Sequence, residues 1–242
     1  MTAPIEVYFW PTPNGHKVTI ACEEMDLAYE IKPVNIGRGD QFTPEFLAIS
    51  PNNRMPAIVD PDGPGGAPIA VFESGAILQY LGRKTGRFYP AEERARVKVD
   101  EWVFWQMGNL GPMAGQRNHF RNYSPSFLPD QRHSAYGAIR YTNEVDRLYG
   151  VLDKQLEGRD YIAGDYSIAD MISWPWVFAR SSAALQVEAF PHLVAWHERI
   201  AARRAVQRAL ERGKEVVGGV GLQQSSREAE AARKVLFGQR AR

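Results

Sequence analysis

IEVYFWPTPNGHKVTIACEEM, residues Ile5 to Met25, decides the fold class. Ile5 to Trp10 is rich in β-branched and aromatic residues and stops at Pro11, the pattern of a strand ended by a breaker. Beyond the turn at 11–15, the apolar positions Val18, Ala21, Cys22 and Met25 fall at helical spacing. A strand that runs through a tight turn into a helix opens an α/β layer. Working outward, Tyr29 to Ile36 reads as a second strand whose alternation slips by one residue at Pro33. Thr43-Pro44-Glu45 starts a helix, with Thr as N-cap and Pro in the first turn. Ala57-Ile58-Val59 and Ile69-Ala70-Val71-Phe72 are short apolar strands on either side of the turn-rich segment 60–66. Ser74 opens a helix that runs through Leu81 and stops near Gly86. The resulting order is β-α-β-α-β-β-α.

From Glu92 onward strand signals nearly vanish, and Val97 to Met107, Ala135 to Leu156, Ile168 to Ala184 and Pro191 to Arg212 show helical periodicity. The expected organisation is an α/β domain over residues 1–88, a linker at Phe88-Tyr89-Pro90-Ala91, an all-helical domain over 92–212 and a peripheral extension over 213–242. In that extension Val216 to Gly221 reads as a loop. Ser225 and Glu228 have capping-box spacing ahead of a short charged helix.

Composition narrows the chemistry. The 242 residues carry 29 Lys+Arg against 28 Asp+Glu, a net charge of +1, without the basic excess of a nucleic-acid binder. Apolar residues at 44% and charged residues at 24% are ordinary for a globular chain. Cys22 is the only cysteine, so an internal disulfide and a CxxC pair are excluded. No secretory signal and no uncharged span of membrane length is visible, so a soluble, cytoplasmic protein without membrane partners is expected. There is no GxxxxGK[ST], no GxGxxG after a strand, no HExxH among the five histidines and no GxSxG elbow. No metal site is expected. With no activated nucleophile of its own in view, the chain would have to borrow one from a small molecule.

Four strings stand in order along the sequence: Thr12-Pro13-Asn14-Gly15-His16-Lys17, Ser50-Pro51-Asn52-Asn53-Arg54-Met55-Pro56-Ala57-Ile58, Phe72-Glu73-Ser74-Gly75-Ala76-Ile77 and Tyr166-Ser167-Ile168-Ala169-Asp170 with Trp174-Pro175-Trp176. With the β-α-β-α-β-β-α head they make the first domain resemble the thioredoxin fold, and the whole chain, from about Ile5 to about Leu210, resembles the glutathione transferases. Within that superfamily the Thr-Pro-Asn turn and the Ser-Pro-Asn-Asn-Arg run are most similar to the bacterial Nu class and its yeast prion-like relatives. The resemblance implies an enzyme that uses glutathione as co-substrate to reduce organic disulfides, with weak conjugating activity, assembled as a homodimer.

The residues that would carry this chemistry follow. Thr12 and Asn14 lie at a helix N-terminus, where unpaired N–H groups and the dipole favour an anion. Hydrogen bonds from the Thr12 hydroxyl and the Asn14 amide would favour the glutathione thiolate, since a free thiol near pKa 8.5 is only a few per cent ionised at pH 7. The plainer reading is a turn and a helix cap. An X-Pro bond at a strand start is a natural cis position. The resemblance implies a cis Met55-Pro56 bond that presents the Met55 backbone to the cysteinyl unit of glutathione. It likewise implies Ser74 and Glu73 at the γ-glutamyl end, Gln41 at the glycine end, and Arg54 steering the anionic ligand. Simple N-capping is the alternative for Ser74, and loop composition alone would leave Gln41 exposed. Gln106 and Arg140 match positions that approach glutathione in Nu-class proteins, Gln106 from its own or a neighbouring subunit; both stand in helices, where a polar residue is usually just solvated. Trp102, Phe104, Trp105, Met107 and Met113 are spaced for a buried face; most of these aromatics read as core, and some would line an apolar pocket for the second substrate. Tyr8 reads as core or interface, Cys22 as core, and Ser167 with Asp170 as a structural capping box. The rival reading is a non-catalytic glutathione-binding module that serves regulation or assembly.

Overall fold

The computed structural model describes residues 3–126, 128, 130–177, 189–218 and 226–238. Its chain groups into two units, Met1–Thr85 with Arg204–Arg242, and Gly86–Arg203. In the first, β1 (Ile5–Phe9), α1 (Pro13–Glu24), β2 (Tyr29–Pro33), α2 (Pro44–Ile49), β3 (Ala57–Asp60), β4 (Ile69–Phe72) and α3 (Ser74–Thr85) follow in the order read from the sequence. The sheet order is β2-β1-β3-β4; β1 runs parallel to β2 and antiparallel to β3, and β4 is antiparallel to β3. Parallel neighbours need a crossover connection, and α1 supplies it. On β1, Ile5, Val7 and Phe9 are buried while Glu6 and Tyr8 are not, and α1 fully buries Val18, Ile20, Ala21 and Cys22. This is the thioredoxin-like arrangement expected.

β2 ends at Pro33, three residues short of the expected Ile36. The Val34 N–H still donates to the Phe9 carbonyl at 2.9 Å, but the Asn35 side chain then accepts from the Gly37 and Arg38 N–H groups and turns the chain out of the sheet. The single helix read over Pro191–Arg212 is two, α8 (Pro191–Ala201) in the second unit and α9 (Arg204–Gly218) grouped with the first. α9 packs on α1, Gly213 lies against His16 and Phe9, and Arg208 reaches Glu23 at 2.6 Å. The contact grouping therefore differs from a helical domain running to 212. α9 also carries Val216 to Gly218 as helix, where a loop was read, while 219–221 lie outside the described residues. α10 (Ser226–Phe237) is the short charged helix of the extension; Ser225 of its expected capping box lies outside the described residues.

The second unit is helical: α4 (Glu93–Trp105), a π-type turn at Gln106–Leu110, α5 (Gly111–Asn118), α6 (Gln131–Leu156), α7 (Ile168–Ser173) with a 3-10 turn at Trp174–Trp176, and α8. The π turn falls where Gly108, Gly111 and Pro112 predict a break, since Pro112 offers no N–H to an α-helical ladder. The helix read over Ile168–Ala184 stops at Ser173, and its stretch 178–184 lies outside the described residues. At its start Ser167 and Asp170 form the expected capping box. Asp170, fully buried, accepts from the Ile162 N–H at 3.0 Å, the Trp196 indole at 2.8 Å and the Ser167 N–H at 3.0 Å, so it ties three segments together. Burial pushes its carboxyl up to about 6 against the pull of these donors. Among the described residues no helix is long and apolar enough to cross a membrane.

Candidate functional site

The turn between β1 and α1 is built from its first residues upward. Thr12, in extended conformation, is the N-cap, and its Oγ1 accepts the Gly15 N–H at 3.3 Å. Pro13 follows, where its missing N–H costs nothing. Gly15 is required by space: a Cβ there would collide with the Trp10 carbonyl and lie 2.9 Å from Met55 Cε. While accepting from Gly15, the Thr12 hydroxyl donates to the sulfur of the buried Met55 at 3.6 Å. Asn14 is half-buried in the first turn of α1.

Met55 arrives from a loop that is stapled to itself. The Ser50 hydroxyl donates to the Arg54 carbonyl at 2.8 Å, and the exposed Arg54 guanidinium donates to the Asn53 carbonyl and side-chain oxygen. The Met55-Pro56 bond is cis, as expected. The Met55 side chain is buried with Val34, Phe46 and Ala57.

The third segment is the β4–α3 junction. Glu73 is exposed and sits at φ 68°, a left-handed backbone that is strained for glutamate. Its carboxylate accepts from the Asn52 amide at 3.5 Å. Ser74, buried, opens α3 and accepts from the Lys17 ammonium at 3.2 Å. Three pairs thus knit the site residues of the first unit: Thr12 with Met55, Asn52 with Glu73, Lys17 with Ser74.

Gln41 differs from the reading of its loop. It is 2% exposed in the 3-10 turn Asp40–Phe42; its Nε2 donates to the Ile36 carbonyl at 3.2 Å, and its Oε1 is buried without a partner among the described residues. The reason is tertiary. The Asn35 and Asp40 side chains fold the loop back on itself, and α10 lies beside it, with Ala232 at 3.4 Å from where a Gly37 Cβ would stand. Gln106 and Arg140 belong to the second unit. Gln106 is fully buried at the start of the π turn, and so is not merely solvated; Arg140 is exposed and pairs with Glu144 at 3.6 Å. The expected core face is not met at these five residues: Phe104 is 67% exposed and Trp102, Trp105, Met107 and Met113 are half-buried, because Val99 and Val103 form the buried face of α4.

Cys22 is buried and its thiol pushed up to about 12, and the Tyr8 hydroxyl, raised by burial and by its bond to Glu6, donates to the Glu6 carboxylate at 3.1 Å. Neither offers a nucleophile at neutral pH. Lys17 is the residue whose importance the sequence does not announce: one lysine in a helix, with no spacing that distinguishes it from a solvated one. Among the described residues no His, Cys, Asp and Glu cluster suited to a metal ion is found.

Residues 12–84 match the glutathione S-transferase N-terminal domain and residues 126–204 the glutathione S-transferase C-terminal domain. The chain is 49% identical over 208 residues to the disulfide-bond oxidoreductase YfcG of Escherichia coli, covering 85% of this chain and 94% of that one. It is 36% identical over 219 residues to the disulfide-bond oxidoreductase YghU of the same organism, covering 85% and 73%. A glutathione transferase family member from Pseudomonas fluorescens, solved with two glutathione molecules bound, superposes with a TM-score of 0.80 at 45% identity, covering 86% of this chain and 92% of that one. Both halves of the sequence, the sheet order and these relatives agree, and this chain belongs to the glutathione S-transferase family.

Proposed function

We propose that this protein is a glutathione-dependent disulfide-bond oxidoreductase whose nucleophile is the thiolate of bound glutathione, stabilised by Thr12 and Asn14. The observation that carries this reading is the Thr12 hydroxyl: satisfied as an acceptor by Gly15, it presents its hydrogen to a sulfur, that of Met55, at the N-terminus of α1. A glutathione sulfur at that hydroxyl gains a neutral donor, the Asn14 amide a second, and the helix dipole favours its negative charge. Neither side chain is a base at neutral pH, so the thiol proton leaves to solvent. The names of YfcG and YghU and the bound glutathione of the Pseudomonas relative support the same chemistry.

In the first exchange the thiolate attacks one sulfur of the substrate disulfide; a glutathione–substrate mixed disulfide forms, and the departing thiolate takes a proton from solvent. A second glutathione then attacks the glutathione sulfur, yielding glutathione disulfide and the second substrate thiol. Cys22, buried and protonated, is unsuited to that second step. For the tripeptide itself, the Met55 backbone would pair with the cysteinyl unit. Ser74 and the first N–H groups of α3 would receive the γ-glutamyl carboxylate, with Glu73 on the α-amino group. The partnerless Gln41 Oε1 is an acceptor of the right kind for the glycyl N–H. Arg54 would steer the anionic ligand. A two-fold homodimer is part of this reading, and sedimentation showing only monomer would remove it.

The test is glutathione-dependent reduction of a hydroxyalkyl disulfide. Turnover is expected, and Asn14→Ala should cut it at least tenfold while glutathione affinity changes far less. Glutathione binding without turnover on disulfides or aryl halides would instead establish the binding-module reading.

A further inference from the structure

Lys17 is 1% exposed, and its ammonium donates to the Ser74 hydroxyl, joining α1 to the first residue of α3. Burying an ammonium is unfavourable unless negative charge or hydrogen bonds answer it. Burial accordingly pulls its pKa down to about 7, while the Glu73 carboxylate draws it the other way. A bond between two helices needs no charge; an amide or a hydroxyl would make it without the desolvation. What an ammonium adds is direction and field. As an ammonium, lysine only donates, so Ser74 Oγ is the acceptor in this pair and the bond does not use the serine hydrogen. That hydrogen, the positive charge behind it and the opening N–H groups of a twelve-residue helix share one polarity, the polarity that receives an anion.

We propose that Lys17 is a positioning residue for glutathione: from beneath Ser74 it holds the serine hydroxyl as a donor to the γ-glutamyl α-carboxylate and adds the positive charge that this carboxylate meets. The inference rests on the reading of Glu73 and Ser74 as the γ-glutamyl end. It assigns to α1 a role at both ends of the ligand, with Thr12 and Asn14 at the sulfur and Lys17, one turn on, at the carboxylate.

The experiment is calorimetric titration of the full chain with glutathione and with glutathione whose γ-glutamyl α-carboxylate is converted to the amide. Lys17→Met, Ser74→Ala and the double variant are compared with the unsubstituted protein, their folding checked by circular dichroism. Lys17→Met should weaken glutathione binding about 10- to 100-fold, the range of a lost charge-assisted hydrogen bond, and binding of the amide no more than about threefold. Adding Ser74→Ala to Lys17→Met should cost little more, because the two act through one contact. Equal losses for both ligands, or unchanged glutathione affinity, overturn the proposal and leave Lys17 a structural tie. A protein without substitutions that binds glutathione and the amide equally overturns the underlying γ-glutamyl assignment instead. Should Lys17→Met fail to fold, the Lys17 side-chain resonance in lysine-labelled protein decides: it shifts with glutathione and not with the amide, and a resonance indifferent to both refutes the role.

Discussion

Replacing Thr12 by valine keeps the side-chain shape and removes one oxygen with two jobs. As N-cap, that oxygen accepts the Gly15 N–H at 3.3 Å, and losing a cap of this kind costs about 1 kcal/mol. In a chain of 242 residues that lowers the melting temperature by about 2–4 °C. As donor, the hydroxyl reaches the neutral Met55 thioether; turned instead to a glutathione thiolate it would make a hydrogen bond to an ionised group, which contributes about 1.5–3 kcal/mol. At about 1.4 kcal/mol per pKa unit, the bound glutathione thiol should become less acidic by about 1–2 units. Disulfide turnover at pH 7 should then fall about tenfold or more. The deficit must be pH-dependent, because once both proteins hold a fully ionised sulfur the thiolate fraction no longer distinguishes them. Thus the rates should converge as pH rises toward 9. The assay is ultraviolet absorbance of the thiolate in the enzyme–glutathione complex across pH 5–10, run beside turnover at each pH. Thr12→Ser retains the oxygen and should behave like the unsubstituted protein in both. A bound thiol equally acidic in Thr12→Val would refute the mechanism, leaving Thr12 a helix cap. A turnover deficit constant with pH would have the same force.

Other expectations concern the scaffold and the turn. Asp170→Asn turns one acceptor oxygen into a donor facing N–H groups, and with about 1–3 kcal/mol for each stranded donor it should destabilise by about 2–6 kcal/mol in urea titration. Because burial raises the Asp170 carboxyl to about 6, its contribution to stability is greatest below pH 4 and declines as pH rises through 6. The gap between the two proteins should therefore narrow over that range, and a widening gap would reverse the assigned direction. Gly15→Ala forces a Cβ onto the Trp10 carbonyl and should unfold the turn or abolish glutathione binding by calorimetry; an unaffected variant would show that the turn has room to spare. Burial lowers His16 and His197 to about 4, so the unfolded chain takes up protons first on acidification. Stability should fall as pH drops from about 6.5 toward 4, and fall less steeply in His197→Gln.

The β-α-β-α-β-β-α order, the Pro11 breaker before α1, the Thr12 and Thr43 caps and the Ser167–Asp170 box were legible because each depends on residues within a few positions of one another. The site strings were legible for the same reason: Thr12-Pro13-Asn14-Gly15 specifies its own turn. The errors lie where distant segments decide. Gln41 reads as a loop residue, yet it is buried in a loop that the Asn35 and Asp40 side chains fold back on itself, with α10 beside Gly37 and Gly39. The stretch Pro191–Arg212 has no internal breaker, since Ala201-Ala202-Arg203-Arg204 are all strong helix formers, yet it is interrupted and its second part packs on α1.

By itself, the sequence determines the local geometry of this protein: where strands end, which oxygen caps which helix, and that a turn rich in neutral donors precedes α1. Only the tertiary structure decides which of these pieces meet. The Thr12 hydroxyl finds a sulfur 43 positions away and Lys17 finds Ser74 at 57. Caps and periodicity arise from backbone hydrogen bonds over three or four residues, whereas a buried ammonium beneath a serine exists only once two helices have closed over it and water has been removed.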